Sequence, residues 1–303
     1  MRTKLGYMVL LEKMKPNECL KYAIEAEKVG MDMIWVDDHF FPFPPMTECG
    51  FAWCFMASAL QATEKIPFST GVTAPIMRYN PAVVAQAFST MNCMYPGRVN
   101  LGVGTGEDLN EVPLLGAEWP KPAKRLEMLA DAVDIIKGLW TSDEPMSCDG
   151  NYCMTNVRLC TKDTTTKIPI YFSGIGPKAS RLAGMKGDHL ITVTTNPKVL
   201  EEVIFPNFEA GAREAGKDPT KMERAIMMNF AYDPSKSTEK GHTVARQGEF
   251  EERTTIVHEP EDFITYIDEL VDLGFNHIVL ADLSPSNGPA LEALKVATAH
   301  YKK

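Results

Sequence analysis

One apolar run in this chain ends in two acids and a histidine. In WVDDHFFPF, Asp37, Asp38 and His39 close the segment MDMIWV, and Phe40, Phe41 and Phe43 roof them. Histidine changes charge near neutral pH, and a nearby carboxylate tunes or shares its proton, so this is acid/base chemistry. A second acid, Glu107, follows another apolar run in RVNLGVGTGEDLNE, together with Thr105, Gly106 and Asn110. His39 and Glu107 therefore form a candidate pair. A structural reading stands beside it, in which His39 caps the next helix and Asp38 pairs with a lysine. A metal is not expected, because two carboxylates and one histidine in adjacent positions need a third element to face one ion.

A third stretch, FSGIGPKASRLAG, suits an oxygen-rich ligand. Ser173, Gly174, Ile175 and Gly176 make a flexible turn, and Pro177 takes the first position of a helix, whose free N–H groups face the ligand. Lys178 adds a positive charge. The glycines at 102, 104 and 106 let a planar ligand or phosphate approach the backbone, or serve tight packing between strands. No GK[ST] follows them, which excludes a P-loop. The remaining histidines (His189, His242, His258, His277 and His300) share no metal-like spacing and read as structural or exposed. Trp119, in AEWPKP, covers a pocket or anchors a loop.

These groups must be carried by something. Strand-length apolar runs recur as KLGYMVL, MIWV, FSTGVTA, RVNLGVG, IPIYFSG, HLITVT, AIMMNFAY and HIVLAD, alternating with stretches of helical periodicity. Several helical stretches stop at glycine, a common C-terminal signal. Eight such alternations point to a (β/α)8 barrel, in which the residues beyond each strand's C-terminal end surround the site. A doubly wound sheet is the alternative, but no GxGxxG follows the first strand. The expectation is a single barrel domain over residues 1–303. Its least regular part, about 233–258, reads as an excursion loop or short-helix insertion.

Composition narrows the partners. The 303 residues are 45% hydrophobic and 23% charged, ordinary for a soluble globular chain. The formal charge of −9 argues against nucleic acid or an anionic membrane surface. No apolar run reaches the roughly 18 residues of a membrane span. Glu12 and Lys13 interrupt the first apolar stretch too early for a signal peptide. Seven cysteines without a C-x-x-C pair suit reduced thiols in a cytoplasmic protein.

Together, WVDDHF, MRYNPAVVAQAFSTM, YPGRVNLGVGTGEDLNEVP and FSGIGPKASRLAGMKGDHLITVT resemble the coenzyme F420-dependent dehydrogenases of the bacterial-luciferase-like superfamily. The likeness covers about residues 1–233 and resumes at 259–282. It is strongest to the secondary alcohol dehydrogenases of methanogens, which are archaeal, and to the glucose-6-phosphate dehydrogenases. The resemblance implies a (β/α)8 barrel, a homodimer, coenzyme F420 at the strand C-termini and a small-molecule substrate. It implies that His39 and Glu107 flank the hydride-transfer site, with Glu12 as a further pocket acid. Asp38, Thr105, Gly106 and Asn110 match cofactor contacts, and Gly71–Val72 matches a non-prolyl cis peptide behind the ring. Ser173, Gly174, Ile175, Gly176, Pro177, Lys178 and Ala179 match a phosphate turn. Because a deazaflavin passes hydride and reacts poorly with oxygen, the protein need supply only orientation and one proton relay.

Departures concern the substrate pocket. Phe43 stands where relatives carry tryptophan, and Asn229 stands near another lost tryptophan. Arg253 matches a phosphate contact of the glucose enzyme, whose gripping lysine has no counterpart in TVTTNPKVLEE. The expected activity is therefore hydride transfer between an alcohol or carbonyl compound and the deazaflavin, not oxidation of glucose 6-phosphate. The alternatives are a reductase of the methylenetetrahydromethanopterin type, an FMN-dependent luciferase-like monooxygenase, and a non-catalytic cofactor-binding relative.

Overall fold

The computed structural model describes residues 2–236, 243–247 and 252–302. Its strands are β1 (Lys4–Val9), β2 (Met33–Val36), β3 (Phe68–Thr70), β4 (Val99–Val103), β5 (Met146–Cys148), β6 (Met154–Val157), β7 (Ile170–Ser173), β8 (His189–Thr192), β9 (Arg224–Tyr232), β10 (Thr243–Gln247), β11 (Glu252–Val257) and β12 (His277–Asp282). The helices are α1 (Pro16–Val29), α2 (Ala52–Ala62), α3 (Pro81–Met94), α4 (Asp108–Leu115), α5 (Pro122–Thr141), α6 (Pro177–Lys186), α7 (Pro197–Val199), α8 (Phe205–Glu214), α9 (Asp262–Asp272) and α10 (Asn287–Tyr301). A π-helical stretch, Leu200–Ile204, joins α7 to α8.

The eight apolar runs become the eight strands of a closed parallel barrel, in the order β1, β2, β3, β4, β7, β8, β9, β12 and back to β1. Alternation along the strands makes two cores. Met8, Met33, Trp35, Tyr171, Ile191, Ala225, Val279 and Ala281 fill the interior. The intervening residues, such as Ile34, Val36, Leu101, Val103, Phe172 and Leu190, pack outward against the helices. Each such side chain contributes about 1.5–3 kcal/mol by leaving water. Helix boundaries follow local chemistry. Proline opens α1, α3, α5 and α6, and Gly30, at φ 93°, ends α1.

A polar layer closes the barrel's N-terminal end. Glu223 binds Lys4, accepts from the Tyr171 hydroxyl at 2.7 Å, and meets His277 Nδ1 at 2.8 Å. Trp35 Nε1 donates to His277 Nε2 at 3.3 Å, which leaves the proton on Nδ1. His277 and His189 belong to this layer, and burial pushes His189 down. The other end of the barrel is left for ligands.

One sequence expectation needs correction. The 233–258 segment is not simply a loop or short helix, because β11 pairs in parallel with β9 and β10 pairs antiparallel with β11. β9 runs nine residues, longer than its barrel neighbours, and its projecting half offers an open edge that the β-branched run TTIV can pair with. The antiparallel pair β5–β6, between α5 and β7, was also not read from the sequence.

Candidate active site

β1 and β2 bring the first two groups together. The interior positions of β1 continue through Met8 and Leu10 to Glu12, and those of β2 through Met33 and Trp35 to Asp37. Glu12 is buried and binds His39 Nδ1 through Oε1, while its Oε2 accepts the Phe43 N–H at 3.0 Å. A carboxylate on Nδ1 places the ring proton there and leaves Nε2 as the basic atom. Nε2 faces Glu107 Oε2 at 3.6 Å. His39 is 21% exposed and Glu107 45%, so both reach the mouth. Burial and the Arg78 charge push His39 down to about 4, which keeps the imidazole neutral at pH 7.

Asp38 is not a mouth group, contrary to the sequence expectation, and Asp37 beside it is buried as well. Asp37 accepts the Leu11 N–H at 2.7 Å and the Glu12 N–H at 3.3 Å, and burial pushes it up to about 7. Asp38 falls on the opposite face of the strand, only 2% exposed. Its carboxylate accepts from Thr73 Oγ1 at 2.6 Å, the Tyr79 hydroxyl at 2.9 Å and Arg78 Nη2 at 3.3 Å. Its cation is an arginine, not a lysine. Atoms of Glu12, Asp37 and His39 lie within 4.8 Å of one another, a set that could hold a metal because Glu12 joins it from a separate strand end. All three are engaged by hydrogen bonds, which suits proton handling.

β4 supplies the opposite lip. Glu107 precedes α4, and Asn110, buried in its first turn, donates from Nδ2 to Glu107 Oε2 at 3.2 Å. Asn110 Oδ1 accepts from the Phe40 and Phe41 N–H groups at 2.6 and 2.9 Å, stapling the aromatic roof to the Glu107 turn. The peptide Gly71–Val72 is cis, as the resemblance implies, and Pro44–Pro45 is cis as well. Gly102 serves packing, since a Cβ there would sit 1.9 Å from the Thr70 carbonyl oxygen. Gly106 has φ +68°, the left-handed region that glycine favours, and Thr105 beside it is half-buried.

The turn after β7 has the expected form, with Gly176 preceding α6 and Pro177 opening it. Ser173, Gly176 and Ala179 are half-buried, Gly174 is buried, and Ile175 and Lys178 are exposed. Lys178 also borders a groove of about 310 Å³ between α5 and α6, beside Glu127 and Arg181. Ser180 Oγ, buried under Gly174, is a polar atom with no hydrogen-bond partner among the described residues. Ile175 and Val193, beyond the ends of adjacent strands, are 64% and 54% exposed apolar residues. An unsatisfied hydroxyl, a helix N-terminus and apolar lip residues fit a flat ring with a phosphate-bearing tail. Val193 was missed in the sequence; only its place beyond HLIT hints at it.

Of the pocket residues, Phe43 packs edge-on against His39, ring centroids 5.4 Å apart at 79°. Asn229 alternates with Ala225 and Met227 on β9, facing the interior beside Ala281. The Arg253 side chain and His242 lie outside the described residues. Trp119 anchors its loop, with the Arg125 guanidinium 4.4 Å from its ring centre. Among the described residues, no helix is long and apolar enough to cross a membrane.

A family description, luciferase-like monooxygenase, matches residues 2–240. The F420-dependent glucose-6-phosphate dehydrogenase of Kribbella flavida is 34% identical, covering 92% of both chains. That of Gordonia bronchialis is 33% identical, covering 91% of this chain and 90% of its own. Both organisms are bacteria. A solved F420-dependent secondary alcohol dehydrogenase, in complex with an F420–acetone adduct, is 39% identical with a TM-score of 0.88 over 98% of each chain. A coenzyme F420-dependent tetrahydromethanopterin reductase from Methanopyrus kandleri, 20% identical with a TM-score of 0.80, shares the fold.

Proposed function

The chain belongs to the luciferase-like monooxygenase family, as an F420-dependent oxidoreductase within it, and from that premise we propose that it moves hydride between an alcohol or carbonyl carbon and the deazaflavin. One observation carries the proposal: His39 Nε2 and the Glu107 carboxylate face each other across 3.6 Å at the barrel mouth, with Glu12 behind the imidazole. When bound, the deazaflavin supplies the hydride acceptor or donor. The chain's own residues handle the proton. Glu12 holds the ring so that the basic Nε2 faces the lip, where it can take a substrate hydroxyl proton. The Glu12 carboxylate then stabilises the imidazolium that forms. Glu107 limits where a substrate oxygen can sit, and Phe43 and Asn229 shape the wall beside it. Residues 173–179 would hold the phosphate of the cofactor tail through the α6 N-terminus and Lys178.

A sugar-phosphate substrate is the second reading, favoured by the names of the curated relatives. Against it stands the absence of the gripping lysine from TVTTNPKVLEE. The test is a screen of short alcohols, aldehydes, ketones and glucose 6-phosphate against both redox states of F420, followed by its visible absorbance. Bleaching with a secondary alcohol and none with glucose 6-phosphate is expected. The reverse outcome overturns the substrate reading and leaves the cofactor. The family likeness supports a homodimer, to be checked by sedimentation. The seven unpaired cysteines support a reducing, cytoplasmic setting.

A further inference from the structure

The segment MRYNPAVVAQAF carries much of the family likeness, yet none of its residues stands at the reacting atoms. Its arginine lies under the site. Arg78 is 6% exposed, and its guanidinium hydrogen-bonds one element and forms an ion pair with a second. Nη2 donates to the Asp38 carbonyl at 2.7 Å and to Asp38 Oδ1 at 3.3 Å, pinning the residue before His39. On the other side, Arg78 Nε faces Glu111 Oε1 at 3.7 Å, an ion pair beyond hydrogen-bond range, and the Arg78 backbone N–H donates to Glu111 Oε2 at 3.0 Å. Glu111 lies one helical turn past Glu107 on α4, and its side chain is 1% exposed. Tyr79 packs on the guanidinium at 4.6 Å while donating to Asp38. The bridge therefore runs from the strand end that carries His39 to the helix that carries Glu107. Buried from water, Arg78 is the cation shared by the two acids, beside the neutral Thr73 and Tyr79 hydroxyls that also bind Asp38.

We propose that Arg78 is a positioning residue: by tying Asp38 to Glu111 it sets the separation of His39 and Glu107. Its effect on rate rests on the functional reading above; its effect on geometry does not. A guanidinium spans two carboxylates through separate nitrogens in a rigid plane, which a lysine ammonium cannot reproduce. Its charge also acts on the imidazole. His39 is faced by Glu12 from the end of β1, by Glu107 from the start of α4 and by Arg78 from the loop before α3. Asp37 and Asp38 precede it, and Cys49 Sγ donates to its carbonyl at 3.2 Å. The carboxylates favour imidazolium, and Arg78 opposes it.

The test uses Arg78→Lys and Arg78→Met, with His39 titrated by its ring-proton NMR signal in the cofactor-free protein and turnover measured with F420. Arg78→Lys keeps the charge, so the His39 titration should stay in place while kcat falls by about tenfold to a hundredfold through misplacement. Arg78→Met should shift the His39 titration upward as well. If Arg78→Met does not fold, Arg78→Lys and Glu111→Gln decide the matter. Glu111→Gln should also lower kcat, with F420 affinity retained. A crystal structure of Arg78→Lys should show the His39–Glu107 gap changed from 3.6 Å. Folded Arg78→Lys with wild-type kcat and an unchanged gap overturns the proposal. Wild-type protein that bound no F420 would sink the functional reading alone, leaving the gap and the titration to decide this one.

Discussion

His39 Nε2 stands 3.6 Å from Glu107 Oε2, beyond hydrogen-bond range yet close enough that one hydroxyl seated beside the pair would reach both. Neither group reaches this place alone. Glu12 sets the imidazole from behind, and Asn110 holds the Glu107 carboxylate from the side. The gap is therefore built by four elements: the ends of β1, β2 and β4, and the first turn of α4.

Glu12→Gln removes the charge that supports the imidazolium while nearly preserving shape. Its kcat should fall about a hundredfold, the scale of acid/base assistance, with F420 affinity unchanged. Steady-state rates beside fluorescence titration of F420 separate the two quantities. Equal kcat in variant and wild type would make Glu12 a packing residue only.

Lys178→Ala should weaken F420 binding about twofold to fivefold, with the loss shrinking as salt rises, because an exposed charge near a helix start acts weakly and is screened. Binding isotherms at two salt concentrations check this. An unchanged dissociation constant at low salt would assign Lys178 to the α5–α6 groove alone.

Asp37 gives a stability test whose sign is unusual for an acid. Burial raises its folded pKa to about 7 from the ordinary 3.8. Between those values the folded state keeps the proton and the unfolded state does not, so this group's contribution falls as pH rises. Asp37→Asn lacks that loss. Relative to wild type it should therefore gain stability from pH 4.5 to 7.5, read from urea unfolding at pH values of about 4.5 and 7.5. A stability difference independent of pH would mean that Asp37 is ionised throughout.

The fold was legible because its signal is local: each barrel strand is an apolar run, and the helix ends carry proline and glycine. His39 and Glu107 were legible because strand ends in a barrel point to one mouth. Asp38 misled because the step from one residue to the next reverses the face, and adjacency in WVDDHF hides that Asp37 and Asp38 part company. Arg78 and Glu111 lie far from His39 in sequence and act through it only after β2, the loop before α3 and α4 pack together. The β10–β11 addition was obscured because its pairing depends on the projecting edge of β9, not on its own composition.

The decisive measurement is a paired one on His39→Ala: F420 affinity by fluorescence, and single-turnover hydride transfer with the best alcohol found in the screen. We expect affinity close to wild type and transfer slowed by about a hundredfold to ten-thousandfold. Transfer at the wild-type rate, with the cofactor bound, would contradict the assignment of His39 as the base and with it the catalytic role given to this gap.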